Sequence, residues 1–191
     1  VARFRDGPVR LRVGEAFAID TALDKDAGDA SVVGTDYAGL AQDCREGDVL
    51  LLNDGLIQLE VTSIENTRVH CRVKVGGELS NNKGINRLGG GLNAETITDK
   101  DRRDLVLAAE LDLDFLALSF PRHADDIHQA RALYRDAGGH GAMVAKIERA
   151  EAVADPATLD ALIQASDGAM VARGDLAVEI GDAELVGVQK H

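Results

Sequence analysis

The chain has 191 residues, one large domain or two small ones, and 45% of them are apolar, which rules out general disorder. With no Trp, two Tyr and four Phe its core must be aliphatic, and aromatic stacking platforms for single-stranded nucleic acid are not expected. Thirty-three acidic against 21 basic residues leave a net charge of −12, which argues against a nucleic-acid partner but allows anionic small molecules where basic groups converge.

The first elements along the chain have a period of two. After the Gly7-Pro8 turn, Val9, Leu11 and Val13 alternate with Arg10 and Arg12. Asp54-Gly55 sits between Val49–Leu52 and the alternating Ile57, Leu59 and Val61, a hairpin signal. Val69, Cys71, Val73 and Val75 then alternate with His70, Arg72 and Lys74, up to a turn at Gly76-Gly77. Residues 1–92 are therefore expected to form a small antiparallel β-barrel domain. Cys44 and Cys71 lie far apart in a chain too large to need a disulfide scaffold, so both are read as reduced thiols of a cytoplasmic protein. Gly89-Gly90-Gly91 lacks the strand and helix flanks of a phosphate loop and is read as a hinge. No apolar run approaches the roughly 20 residues of a membrane span, and no membrane partner is expected. Val1-Ala2-Arg3-Phe4-Arg5 has neither an initiator Met nor an apolar leader, so the chain is expected to be a piece of a longer protein.

From residue 93 helices alternate with short apolar strands. Thr98 is a plausible N-cap with Asp99 and Asp101 in the first turn, and Leu105, Ala108 and Ala109 give that helix one apolar face. Phe115–Phe120 reads as a strand buried on both sides. The helix opened by Ala124-Asp125-Asp126 turns Ile127, Ala130 and Tyr134 inward and ends at Gly138-Gly139. A second strand, Ala142–Glu148, precedes a helix from Asp155-Pro156 with Leu159, Leu162 and Ile163 inward. A third strand, Ala169–Ala172, runs into Arg173-Gly174-Asp175, and a last helix starts near Asp182. The strand ends recur: Phe120 to Glu148 is 28 residues and Glu148 to Asp175 is 27, the length of one β/α unit. About three such units imply an α/β fold with a parallel sheet. A (β/α)8 TIM barrel is the commonest host, and a doubly wound sheet fits nearly as well.

In such sheets the chemistry sits at the C-terminal ends of strands, which here carry Ser119 and Arg122, then Lys146 and Glu148, then Arg173 and Asp175. One charged residue at a strand end is most often solvated loop chemistry; three ends in coincidence point to a site. Two carboxylates from adjacent strands can hold Mg²⁺, and a lysine two residues before the first lies on the same face, where it could neutralise a phosphoryl group.

Met170-Val171-Ala172-Arg173-Gly174-Asp175-Leu176, preceded by Ala165-Ser166-Asp167-Gly168 and by Ala145-Lys146-Ile147-Glu148, resembles the pyruvate kinase family. Leu51-Leu52-Asn53-Asp54-Gly55 and Ser80-Asn81-Asn82-Lys83-Gly84-Ile85-Asn86 are similar to that family as well, in the same order. The resemblance implies phosphoryl transfer from phosphoenolpyruvate to ADP, giving pyruvate and ATP in glycolysis, with Mg²⁺ and usually K⁺. It implies that residues 1–92 are the lid (B) domain and 93–191 part of the barrel (A) domain. Carried over singly, Lys146 matches the catalytic lysine that also contacts the transferring phosphoryl group, and Glu148 and Asp175 match the metal ligands. Gly174 matches a backbone contact to the substrate carboxylate, Ser119 and Arg122 match a pocket-lining segment, and Lys83 matches the lid lysine that reaches the nucleotide phosphates.

Some positions depart from the family pattern. Asn53 stands where many members have an acid, Asn82 replaces one of the paired lid lysines, Arg149 stands where many members have Asn, and Ala177 where Gly is usual. The family's K⁺ ligands, a further substrate-binding Arg, a Thr-bearing strand and the C-terminal domain of the homotetrameric parent are expected to lie outside this chain. The chain alone is accordingly expected to be inactive, and to self-associate. Two other readings are a Mg²⁺-dependent barrel lyase that handles pyruvate enolates, against which the inserted β domain counts, and a non-catalytic nucleotide-binding module.

Overall fold

Side chains that alternate between core and solvent build the first part of the molecule. A computed structural model describes all residues, 1–191, and they divide into two compact units, Val1–Ala94 and Glu95–His191. The first unit contains β1 (Val9–Leu11), β2 (Ala16–Asp20), β3 (Val32–Gly34), the short helix α1 (Leu40–Asp43), β4 (Val49–Leu52), β5 (Ile57–Glu65), β6 (Arg68–Val75), β7 (Gly77–Leu79) and β8 (Ile85–Arg87). Ile57, Leu59 and Val61 on β5 and Val69, Cys71 and Val73 on β6 are at most 3% exposed, and they meet Phe4, Phe17, Ile19, Leu50 and Leu79 in one aliphatic core. The β4–β5 hairpin pairs Leu52 with Ile57. Its turn needs left-handed backbone at Asn53, Asp54 and Gly55 (φ 52°, 56° and 81°), a conformation that Asn, Asp and Gly tolerate best.

The strands expected to form a small antiparallel barrel are not hydrogen-bonded in one continuous antiparallel ladder. Hydrogen bonding gives a six-stranded sheet in the order β3-β2-β6-β5-β4-β8 and a separate β1-β7 ribbon, and β2 and β3 run parallel. The chain leaves the large sheet at Gly76, where an added Cβ would stand 2.5 Å from the Leu11 carbonyl oxygen, and β7 pairs with β1 instead. The parallel pair arises because the loop 21–31 carries the chain back to the start of β2. β1 also stops before Val13, which is 70% exposed. A turn intervenes there: the Glu15 N–H donates to the Arg12 carbonyl, and the Arg12 N–H donates back to the Glu15 carboxylate.

The second unit is an α/β repeat: α2 (Asp99–Glu110), β9 (Phe115–Leu118), α3 (Ala124–Asp136), β10 (Ala142–Ile147), a 3-10 turn at Glu151–Val153, α4 (Pro156–Ala165), β11 (Gly168–Val171), α5 (Arg173–Ile180) and α6 (Asp182–Lys190). Its three strands are parallel, in the order β11-β10-β9. Thr98 and Asp101 form a capping box on α2, Asp155 caps α4 through the Thr158 N–H, and Gly138 in left-handed conformation (φ 89°) ends α3. Ile127, Ala130 and Tyr134 of α3 and Leu159 and Leu162 of α4 belong to the same core as Met143, Ala145 and Ile147 of β10.

Three expectations are corrected here. β9 is not buried on both sides: Phe115 is 70% exposed, and Met170 of β11 is 50% exposed, because the helices cover only the face that carries Leu116, Leu118 and the β10 core residues. Ile163 is 42% exposed, lying just off the buried stripe of α4. Arg173-Gly174-Asp175 does not extend a strand; it forms the first turn of α5, an additional helix whose buried residues are Leu176 and Glu179. Both cysteines are free and buried, and no helix is long and apolar enough to cross a membrane.

Candidate active site

The register of the parallel strands sets the site. Ile147 pairs with Val171, and the Ala172 N–H donates to the Ile147 carbonyl at 3.0 Å, so the end of β10 lies beside the start of α5. Lys146 and Glu148, two residues apart, point to the same side, and Lys146 Nζ stands 3.1 Å from Glu148 Oε2. The same ammonium donates to Ser119 Oγ at 3.2 Å, from the segment that follows β9. Phe120 has left-handed backbone (φ 58°), uncommon for a bulky aromatic residue, and its N–H donates to Glu148 Oε1 at 3.0 Å. Its ring centroid lies 6.0 Å from Lys146 Nζ, at the limit of a cation–π contact.

Glu148 is completely buried (0% exposed). Its Oε2 has the lysine charge beside it but no hydrogen bond of good geometry, so lone pairs remain for a further cationic partner. Asp175, in the first turn of α5, is half-buried. No group of three or more His, Cys, Asp or Glu residues is arranged to hold a metal ion by itself. Carboxylates such as Glu148, after β10, and Asp175, in the first turn of α5, are the ligand type of a hard cation such as Mg²⁺, which takes one or two protein carboxylates and completes its shell with substrate oxygens and water.

Gly174 is exposed with open space around its Cα, at the second position of α5. No side chain caps that helix, so the N–H groups of its first turn are available to an anion. The Arg122 N–H donates to Asp126 Oδ2 at 2.8 Å, and Arg122 Nε is buried without a hydrogen-bond partner. Arg173 is exposed and pairs with no carboxylate. Lys83 belongs to the first unit, between β7 and β8, where its carbonyl accepts from the Val1 ammonium. The structure therefore joins Ser119, Lys146 and Glu148 by direct contact and sets Gly174 and Asp175 in the first turn of the helix that follows the neighbouring strand, whereas Arg122 Nε has no hydrogen-bond partner. Sequence reasoning missed Phe120 as the residue whose backbone fixes Glu148, because nothing local marks an aromatic residue for positive φ.

A family model described as "Pyruvate kinase, barrel domain" matches residues 1–191. This chain belongs to the pyruvate kinase family. The resemblance carried by Met170–Leu176 thus holds for the whole chain. Pyruvate kinase II of Salmonella typhimurium is 54% identical over 190 residues, which cover 100% of this chain and 40% of that protein. Pyruvate kinase of Haemophilus influenzae is equally similar, 54% over 190 residues with the same coverage. Pyruvate kinase of Corynebacterium efficiens is 39% identical over 191 residues, covering all of this chain and 39% of the relative. The chain spans about 40% of the length of these pyruvate kinases.

Proposed function

We propose that this chain supplies the lid and the phosphoryl-transfer end of the barrel in a pyruvate kinase, transferring the phosphoryl group of phosphoenolpyruvate to ADP. The observation that carries the reading is the Lys146–Glu148 pair at the end of a parallel strand, whose neighbour β11 leads into the α5 turn that holds Asp175. In this reading residues 1–92 are the lid, and 93–191 are about three β/α units of a TIM barrel. Phosphoryl transfer asks a protein chiefly for positioning and charge neutralisation. Lys146 is tied to Ser119 and Glu148 and so presents its ammonium in one place, where it disperses charge on the transferring group. Glu148 and Asp175 would hold Mg²⁺, which when bound neutralises phosphoryl and carboxylate oxygens. The Gly174 N–H would bind the substrate carboxylate, Ser119 and Arg122 would line the pocket, and Lys83 would reach the nucleotide phosphates from the lid. K⁺ would be held by segments that the relatives possess beyond this span, as would the contacts of a homotetramer. The family match favours this reading over the barrel lyase and the binding module.

The test is a chimera of the Salmonella relative in which these residues replace the matching 190, assayed beside the chain alone for pyruvate formed from phosphoenolpyruvate and ADP. The chimera should turn over and the chain alone should not. A correctly folded chimera without activity would refute the proposal.

A further inference from the structure

Glu179 is a charged side chain in an apolar place. It is 2% exposed on α5, next to Leu176 and Ile180 of the unit's core. Carboxylates are almost never buried so deeply unless paired. Both of its oxygens are engaged on the segment that follows Glu148. Oε2 accepts the Ala150 N–H at 2.7 Å, and Oε1 lies 3.6 Å from Arg149 Nε. Arg149 is itself also held by Glu151, with Nη2 donating to Oε1 at 3.0 Å and Nε to Oε2 at 3.2 Å. The clamp therefore joins two pieces of chain that carry different groups of the site. Ala150 follows Glu148 by two residues, and Asp175 precedes Glu179 by four, one turn away on the same face of α5.

We propose that Glu179 is a positioning residue: by gripping the Arg149–Ala150 backbone and guanidinium it fixes the first turn of α5 against the Glu148 turn, so that Glu148 and Asp175 face one divalent cation together. The inference rests on the reading of those two carboxylates as cation ligands. A buried ion pair is a weak source of stability compared with apolar packing of similar volume, whereas its directional bonds fix relative geometry well. Arg149, where many family members have Asn, is thereby given a partner that its sequence position did not suggest.

The experiment measures binding of Mn²⁺ alone to the 191-residue chain, counting free Mn²⁺ by electron paramagnetic resonance, with circular dichroism as the check of folding. Glu148→Gln and Asp175→Asn should abolish most of the binding. Glu179→Ala should weaken it roughly tenfold, the usual size of an effect from a group that orients a metal ligand. Glu179→Gln keeps an acceptor for the Ala150 N–H and loses the charge opposite Arg149, so it should fall between. Leu162→Ala, a cavity variant in the same unit, should lower the melting temperature and leave the Mn²⁺ dissociation constant unchanged, separating positioning from stability. If both Glu179 variants bind Mn²⁺ like the wild type while Glu148→Gln does not, Glu179 is structural only and the proposal is overturned. If Glu179→Ala does not fold, the result for Glu179→Gln decides. If Mn²⁺ binding is absent, or indifferent to Glu148→Gln and Asp175→Asn, the ligand reading itself falls and takes this inference with it.

Discussion

Burial decides what individual side chains can do in this protein. It pushes the Cys44 thiol up to about 11, with the Asp48 carboxylate adding to the effect, and the Cys71 thiol up to about 12. Thiolate is the reactive form, so neither cysteine should react with a disulfide reagent at pH 8 in the folded chain, and both should react at once in denaturant. Rapid labelling of either one under native conditions would contradict the packing described. Glu148 and Glu179 are buried as well, each with a backbone N–H and a cationic side chain beside it. The first of these was legible in the sequence, since a lysine and a glutamate two apart on a strand must share a face. The second was not: Glu179 stands between Val178 and Ile180 with no local signal of burial, and the helical backbone turns it inward.

Turns and caps govern the elements. The Thr98 hydroxyl, the Thr158 hydroxyl and the Met143 N–H, the last helped by Arg131, hold Asp101, Asp155 and Asp167 respectively below the usual carboxylate range. A carboxyl depressed on folding contributes stability that is present above its unfolded value, about pH 4, and is lost as the pH falls through its folded value. Asp167→Asn should therefore lower the melting temperature at pH 6, and its difference from the wild type should narrow as the pH drops below about 4. A difference that stays constant down to pH 2.5 would contradict this. Gly76→Ala should destabilise the first unit by roughly 1–3 kcal/mol, because the new Cβ meets backbone that cannot step aside. Urea denaturation followed by β-sheet circular dichroism measures it, and an unchanged midpoint would show that the sheet switch at Gly76 tolerates a side chain. At this scale the sequence was informative where periodicity is long, as in β5, β6 and α3, and where a cap is explicit, as at Thr98. It misled where a short apolar run met glycine. Gly174 hid the start of α5 behind strand-like neighbours, and the apolar run 115–120 looked buried on both faces although helices cover only one. The parallel β2–β3 pair had no local signal, because pairing direction is set by the path of the loop between the strands.

For the molecule as a whole, the exposed sheet face with Phe115 and Met170 has an immediate consequence. Apolar side chains on an open face and unpaired strand edges favour association, so the 191-residue chain should sediment as concentration-dependent oligomers, and Phe115→Lys should shift it toward monomer. A monomer at all concentrations would show that the face is adequately solvated. The central proposal is narrower: that Lys146, held by Ser119 and Glu148, stabilises the phosphoryl group in transfer. The most direct measurement is the single-turnover rate of phosphoryl transfer from phosphoenolpyruvate to ADP by the Salmonella chimera carrying Lys146→Met, followed by rapid quench. An interaction realised mainly in the transition state lowers turnover without a matching loss of substrate affinity. The rate constant should fall by about a thousandfold or more, with the KM for phosphoenolpyruvate changed only a few-fold. An unchanged rate constant, or a loss confined to KM, would contradict the account.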